Sequence, residues 1–124
     1  MSRLFRFQDL EIWKKAIEIG HKLFDIADDF ERRKLFRFAE QIRGAGLSMS
    51  NNISEGSGSH SDKEFVQFLN IARRSTFENA NMVIVFEMRG LISTQTKNAL
   101  LSDLEEECKM ITGFIRHLKS RAGS

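Results

Sequence analysis

The chain has 124 residues, with 41% apolar and 29% charged side chains and a formal charge of +2. That is one domain's length, long enough for a hydrophobic core and too apolar for a disordered segment. A charge this close to balance permits contact with nucleic acid but does not impose it.

No proline is present, so long helices need not be kinked; eleven phenylalanines and one tryptophan supply bulky core material. The single cysteine, Cys108, excludes an internal disulfide and fits a reducing interior. The opening MSRLFRFQDLEIW carries charges throughout, so neither a signal peptide nor a membrane span is expected. The expected location is the cytoplasm.

Four stretches repeat apolar residues with helical period. Residues 1–8 read as an N-terminal arm. The first helix is expected over about 9–29, with Asp9 as its cap and a stripe of Trp13, Ala16, Ile17, Gly20, Leu23, Phe24 and Ala27. The second runs over about 33–56, with Leu35, Ala39, Ile42, Gly46, Met49 and Ile53 in line and Gly56 as its end. The third spans about 61–90. Ser61 and Glu64 make a capping box, Phe65, Leu69, Ala72, Thr76, Val83 and Phe86 form the stripe, and Gly90 terminates it. The fourth covers about 94–120 after a Ser93 cap, with Leu100, Leu101, Leu104, Cys108, Ile111, Ile115 and Leu118 on one side. No segment alternates like a strand. Short polar connections between four such helices predict an all-α, antiparallel up-down four-helix bundle in a single domain.

The stretch SMSNNISEGSGS, residues 48–59, has few large side chains, yet its polar residues keep the helical rhythm. Gln41, Ala45, Ser48, Asn52 and Glu55 are spaced four, three, four and three apart. Helix three offers Glu64, Ile71, Ser75, Glu78 and Met82 in a comparable line. Compact side chains let two helix backbones approach, and polar groups at such a contact must be hydrogen-bonded. Ser48, Asn52, Glu55, Ser75 and Glu78 are therefore expected to form a polar seam between helices two and three. The alternative is a solvated face.

Two further surfaces stand out. Arg32, Arg33, Lys34 and Arg37 cluster where helix two begins, with Arg43 beyond them and Arg73 and Arg74 on helix three. These are the candidate nucleic-acid contacts; the plain alternative is a charged, solvated face partly offset by Glu31 and Glu40. Val66, Phe77, Ile84 and Met88 form a second apolar line on helix three. A monomer would expose it, so a subunit interface is expected there.

Catalytic and metal chemistry find little support. Glu18 and His21 make one Glu-x-x-His, whereas a di-iron bundle needs two such pairs and two more glutamates facing inward. Cys108 lies on the core stripe, and the three histidines do not suggest a triad. GSGS before helix three lacks the lysine spacing and preceding strand of a phosphate-binding loop. No catalytic residue, cofactor or metal is expected.

The segments QIRGAGLSMSNNISEGSG and SDKEFVQFLNIARRSTFE resemble the four-helix-bundle proteins encoded in intervening sequences of bacterial 23S ribosomal RNA genes. Gln41, Arg43, Ala45, Ser48, Asn52, Ile53, Glu55 and Gly56 carry the likeness, with Lys63, Glu64, Phe65, Phe68, Leu69, Ile71, Ala72, Ser75 and Glu78. Phe7, Asp9, Leu10, Trp13 and Ala16 fit the family's opening. The resemblance implies a helical bundle assembling as a ring-like homopentamer, without enzymatic activity. That family also looks related to the pentameric accessory protein of diversity-generating retroelements. The relationship implies RNA or DNA, or a protein such as a reverse transcriptase, as partner. Two positions depart from the pattern: Gly44 stands where an arginine is usual, and Arg74 where a glycine is usual. Two readings stay open: a nucleic-acid or ribonucleoprotein accessory, and a scaffold for a protein partner without direct nucleic-acid contact.

Overall fold

The computed structural model describes residues 4–122; the first three residues of the arm and the last two of the chain lie outside them. A 3-10 turn, Arg6–Asp9, precedes four helices: α1 Glu11–Arg32, α2 Phe36–Ser57, α3 Asp62–Met88 and α4 Thr94–Ala122. Among the described residues there is no strand. The helices alternate in direction and pack as an all-α four-helix bundle, α1 on α2, α2 on α3 and α3 on α4; α1 closes the ring against α4 more sparingly. No described helix is long and apolar enough to cross a membrane.

Local chemistry explains the turns. Ser61 Oγ accepts the Glu64 amide at 3.1 Å and starts α3; Ser93 Oγ does the same for the Thr96 amide at 3.0 Å and starts α4. At the end of α3, Leu91 N–H reaches Phe86 O at 2.8 Å and Gly90 N–H reaches Glu87 O at 2.9 Å. Gly90 has φ +73°, the left-handed conformation this double bond requires. The end of α1 is built the same way, with Leu35 N–H on Phe30 O at 2.8 Å and Lys34 N–H on Glu31 O at 3.0 Å. There the left-handed residue is Lys34, with φ 63°, whose Cβ strains a conformation glycine adopts freely.

Several local details differ from the sequence reading. Asp9 does not cap α1: it closes the 3-10 turn, and Leu10 stands at the N-cap without a side-chain bond. The arm is folded rather than free, with the Phe7 ring 5.4 Å from that of Trp13. Gly56 does not end α2, which continues to Ser57. It is buried instead, and a Cβ there would lie 2.7 Å from Phe65 Cδ1 and 2.8 Å from Phe68 Cβ. Its lack of a side chain is what lets α3 pass. In α1 the buried set is Ile12, Ala16, Ile19, Gly20, Leu23, Ala27 and Phe30; Trp13, Ile17 and Phe24 sit at its margin. Cys108 and Leu101 are likewise marginal: α4 turns Glu107 inward next to Cys108, and Leu100 next to Leu101.

Glu107 is fully buried, and neither carboxyl oxygen has a hydrogen-bond partner among the described residues. Burial pushes its pKa up to about 8, against the pull of Lys15 and with a push from Glu106. Close by, Asp103 accepts from Lys22 at 2.7 Å and from Lys15 at 3.1 Å, tying α4 to α1. Lys15 also pairs with Glu106 at 3.3 Å. Burial alone would raise the Asp103 pKa, yet the bonds from Lys22 and Lys15 hold it below its ordinary value. At the far end Arg121 grips Asp62 through two bonds, 2.7 and 3.0 Å, joining the end of α4 to the start of α3.

Two predictions follow from these contacts. The folded pKa of Glu107 exceeds its ordinary 4.5, so folding takes up a proton between pH 4.5 and about 8. Stability from this group is complete below pH 4.5 and is lost as the pH rises through 8. Glu107→Gln is expected to melt above the wild type at pH 8 and to lose that advantage at pH 4.5, read by circular dichroism. Separately, Lys34→Gly is expected to raise the unfolding free energy in urea by about 1 kcal/mol, because it relieves the left-handed strain.

Candidate nucleic-acid and self-association surfaces

The contact between α2 and α3 sets which side of α3 faces outward. Ser48 and Ser75 meet across it with their hydroxyl oxygens 2.8 Å apart. Asn52 Nδ2 donates to Ser48 O at 2.8 Å and Ser48 Oγ at 3.3 Å, and Ser75 Oγ donates to Ile71 O at 3.1 Å. Each hydroxyl has one proton, so the relay runs one way, from Asn52 through Ser48 and Ser75 to the α3 backbone. Glu55 and Glu78 do not join it; both are exposed.

The residue the sequence reading missed is Asn79. It is fully buried and donates to Ala45 O across the contact at 2.9 Å and to Ser75 O at 2.8 Å. A signal existed, since the apolar stripe of α3 jumps from Thr76 to Val83 and some residue had to fill the missing turn. The Asn79 carbonyl oxygen has no partner among the described residues.

With that contact facing inward, Phe77, Ile84 and Met88 face out, 63%, 38% and 74% exposed. Val66, expected in the same line, is buried in the monomer and belongs to its core. It sits near the start of α3. Phe77 also borders an apolar cleft of about 290 Å3 between α3 and α4, with Ala80, Leu101, Leu104 and Cys108.

The candidate cations divide into bound and unbound. Arg43 is held by Asp28 at 2.8 Å and Glu31 at 2.7 Å. Arg33 binds Asp29 and the Leu91 carbonyl, both at 3.0 Å, and lies over the Phe30 ring. Arg32 approaches Asp29 only to 3.8 Å. Lys34, Arg37, Arg73 and Arg74 have no ion-pair partner among the described residues. Lys34 and Arg37 stand where α1 turns into α2; Arg73 and Arg74 lie midway along α3, beside the Ser75 contact. Gly44 is exposed with open space around it, so the bundle has room for a side chain there. Glu18 is engaged by Lys15 and Lys22, and His21 is exposed against Phe24. Among the described residues no group of three or more His, Cys, Asp or Glu side chains gathers as metal ligands would.

Comparison with known proteins bears on this arrangement. The chain is similar in structure to a crystallised protein of unknown function from the S23 ribosomal protein family of Bacteroides thetaiotaomicron. The TM-score is 0.79 at 22% identity, over 84% of this chain and 97% of that one, a likeness of fold. No curated protein matches the chain. The family model of the 23S rRNA-intervening sequence protein matches residues 8–113, a span that takes in α1, α2, α3 and most of α4. With the four-helix architecture and that match together, the chain belongs to the 23S rRNA-intervening sequence protein family.

Proposed function

We propose that this chain is a non-enzymatic, homo-oligomeric bundle serving in the cytoplasm as a nucleic-acid or ribonucleoprotein accessory. The observation that carries the reading is on α3. An exposed apolar line of Phe77, Ile84 and Met88 runs along the helix that also carries Arg73 and Arg74 without ion-pair partners. Apolar side chains this exposed favour burial against another surface. Repeating a weakly basic subunit around a ring multiplies its phosphate contacts, and affinity grows with each counterion released. The subunit number, five, rests on the resemblance to ring-forming relatives. Support for the non-enzymatic part comes from the one strongly shifted carboxyl, Glu107, being sealed from any substrate.

The second reading is a scaffold that binds a protein partner, such as a reverse transcriptase, without touching nucleic acid. The cleft beside Phe77 favours it, because an apolar side chain of another protein would fill that space.

Light scattering is expected to give a multimer for the wild type and a monomer for Phe77→Glu; an intact multimer in the variant rejects this interface. Structured RNA and duplex DNA titrated at several salt concentrations separate the two readings. The accessory reading expects binding that weakens steeply with salt. The double change Arg73→Gln with Arg74→Gln is expected to make the slope of log affinity against log salt shallower by roughly 2. Absence of binding at low salt leaves the scaffold.

A further inference from the structure

Where α1 turns into α2, Asp28, Glu31, Arg32, Phe36 and Arg43 border an open cleft of about 480 Å3. Its walls differ in chemistry. Phe36 is 58% exposed and offers an aromatic side chain to solvent. Opposite in character is the Arg43 guanidinium, fixed by Asp28 Oδ1 and Glu31 Oε2. Each carboxylate thereby keeps a second oxygen, Asp28 Oδ2 and Glu31 Oε1, with no hydrogen-bond partner among the described residues. Lys34 and Arg37, the unpaired cations of this corner, flank Phe36 in sequence. The chain holds Lys34 in a strained left-handed turn where glycine would fit more easily.

We propose that this corner binds single-stranded nucleic acid, with one unpaired amino-bearing base stacked on Phe36 in the cleft. The proposal rests on the nucleic-acid reading above and adds the type of strand and the residues that hold it. Aromatic faces bind any exposed base, and cations beside them hold the neighbouring phosphates. Here Phe36 supplies the face; Lys34, Arg37 and the loosely paired Arg32 supply the charge. Carboxylate oxygens accept hydrogen bonds and donate none. They suit the N4 amino group of cytosine or the N6 amino group of adenine, and they repel the O4 carbonyl of uracil. A duplex keeps its base faces stacked on one another, so it offers Phe36 nothing.

Fluorescence anisotropy with labelled oligocytidine, oligouridine, their deoxy counterparts and a hairpin duplex tests this. Oligocytidine is expected to bind several-fold more tightly than oligouridine, and both more tightly than the duplex. The deoxy strands report whether the ribose contributes. Phe36→Ala is expected to weaken the oligocytidine complex about tenfold, and Phe36→Trp to retain it. Lys34→Gln with Arg37→Gln is expected to make the salt slope shallower by roughly 1.4. Phe36 is exposed, so circular dichroism should show an intact fold in each variant. Strand binding unchanged in folded Phe36→Ala overturns the proposal. So does duplex binding as tight as strand binding, although the broader nucleic-acid reading then survives. Cytidine monophosphate competing as strongly as the strand overturns the assignment to a strand. Binding of no nucleic acid at low salt ends both this proposal and the reading beneath it.

Discussion

The hydrogen bond between the Ser48 and Ser75 hydroxyls, 2.8 Å long, depends on α2 and α3 approaching closely enough for two short side chains to meet. Ala45, Gly56 and Ala72 make that approach possible, and at Gly56 even a methyl group would collide with Phe65 and Phe68. Once the seam faces inward, the rest of α3 has no choice. Phe77 lies two residues past Ser75, about 200° round the helix, so it must face out. Arg74 lies about 60° from Phe77 on the same outer side. A polar contact inside the bundle thus decides which apolar and basic groups the outside presents. Small-residue packing and a hydrogen-bonded relay support each other here. Larger side chains would part the backbones and break the relay, and an unpartnered hydroxyl would be costly to bury.

Electrostatics sorts the surface in a second way. The sequence carries 19 basic and 17 acidic residues, and folding decides which of them meet. Arg43 and Arg33 are occupied by carboxylates of α1, so they position helices rather than await a ligand. Asp103 draws Lys15 and Lys22 onto the sparse α1–α4 seam. Among the seven candidate cations, that leaves two small groups, Arg32, Lys34 and Arg37 at the α1–α2 turn and Arg73 and Arg74 midway along α3. Glu107 stands apart from this traffic. The one cation that acts on it, Lys15, is engaged by Asp103 and Glu106, so desolvation dominates and pushes its pKa up to about 8.

Two of the buried polar residues, both fully enclosed, show how sequence patterns mislead. Asn79 fills the core turn that the apolar stripe of α3 leaves empty between Thr76 and Val83, and Glu107 takes the core turn between Leu104 and Ile111 that the sequence pattern assigns to Cys108. Polarity argued for placing them outside; position argued for placing them inside, and position won. The same bias put Cys108 and Trp13 in the core, where Glu107 and Ile12 lie. It also extended the polar seam to Glu55 and Glu78, which are exposed. In each case most of the stripe stands where its period put it, Ala16, Gly20, Leu23 and Ala27 in α1 and Leu100, Leu104, Ile111, Ile115 and Leu118 in α4, and only positions at its edge differ.

By itself the sequence determined the number and kind of elements, the Ser61 and Ser93 caps, the Gly90 turn and the family. These follow from backbone geometry, which acts over four or five neighbouring residues and so leaves its mark on them directly. Only the tertiary structure decided which positions at the edge of each apolar stripe are buried, such as Ile12 rather than Trp13 and Glu107 rather than Cys108. It also decided which arginines are spoken for, and that Phe36 opens onto a cleft while Val66 does not. Those outcomes depend on side chains from helices distant in sequence, and on whether a charge finds its counterpart before water does. A single strand of letters records neither.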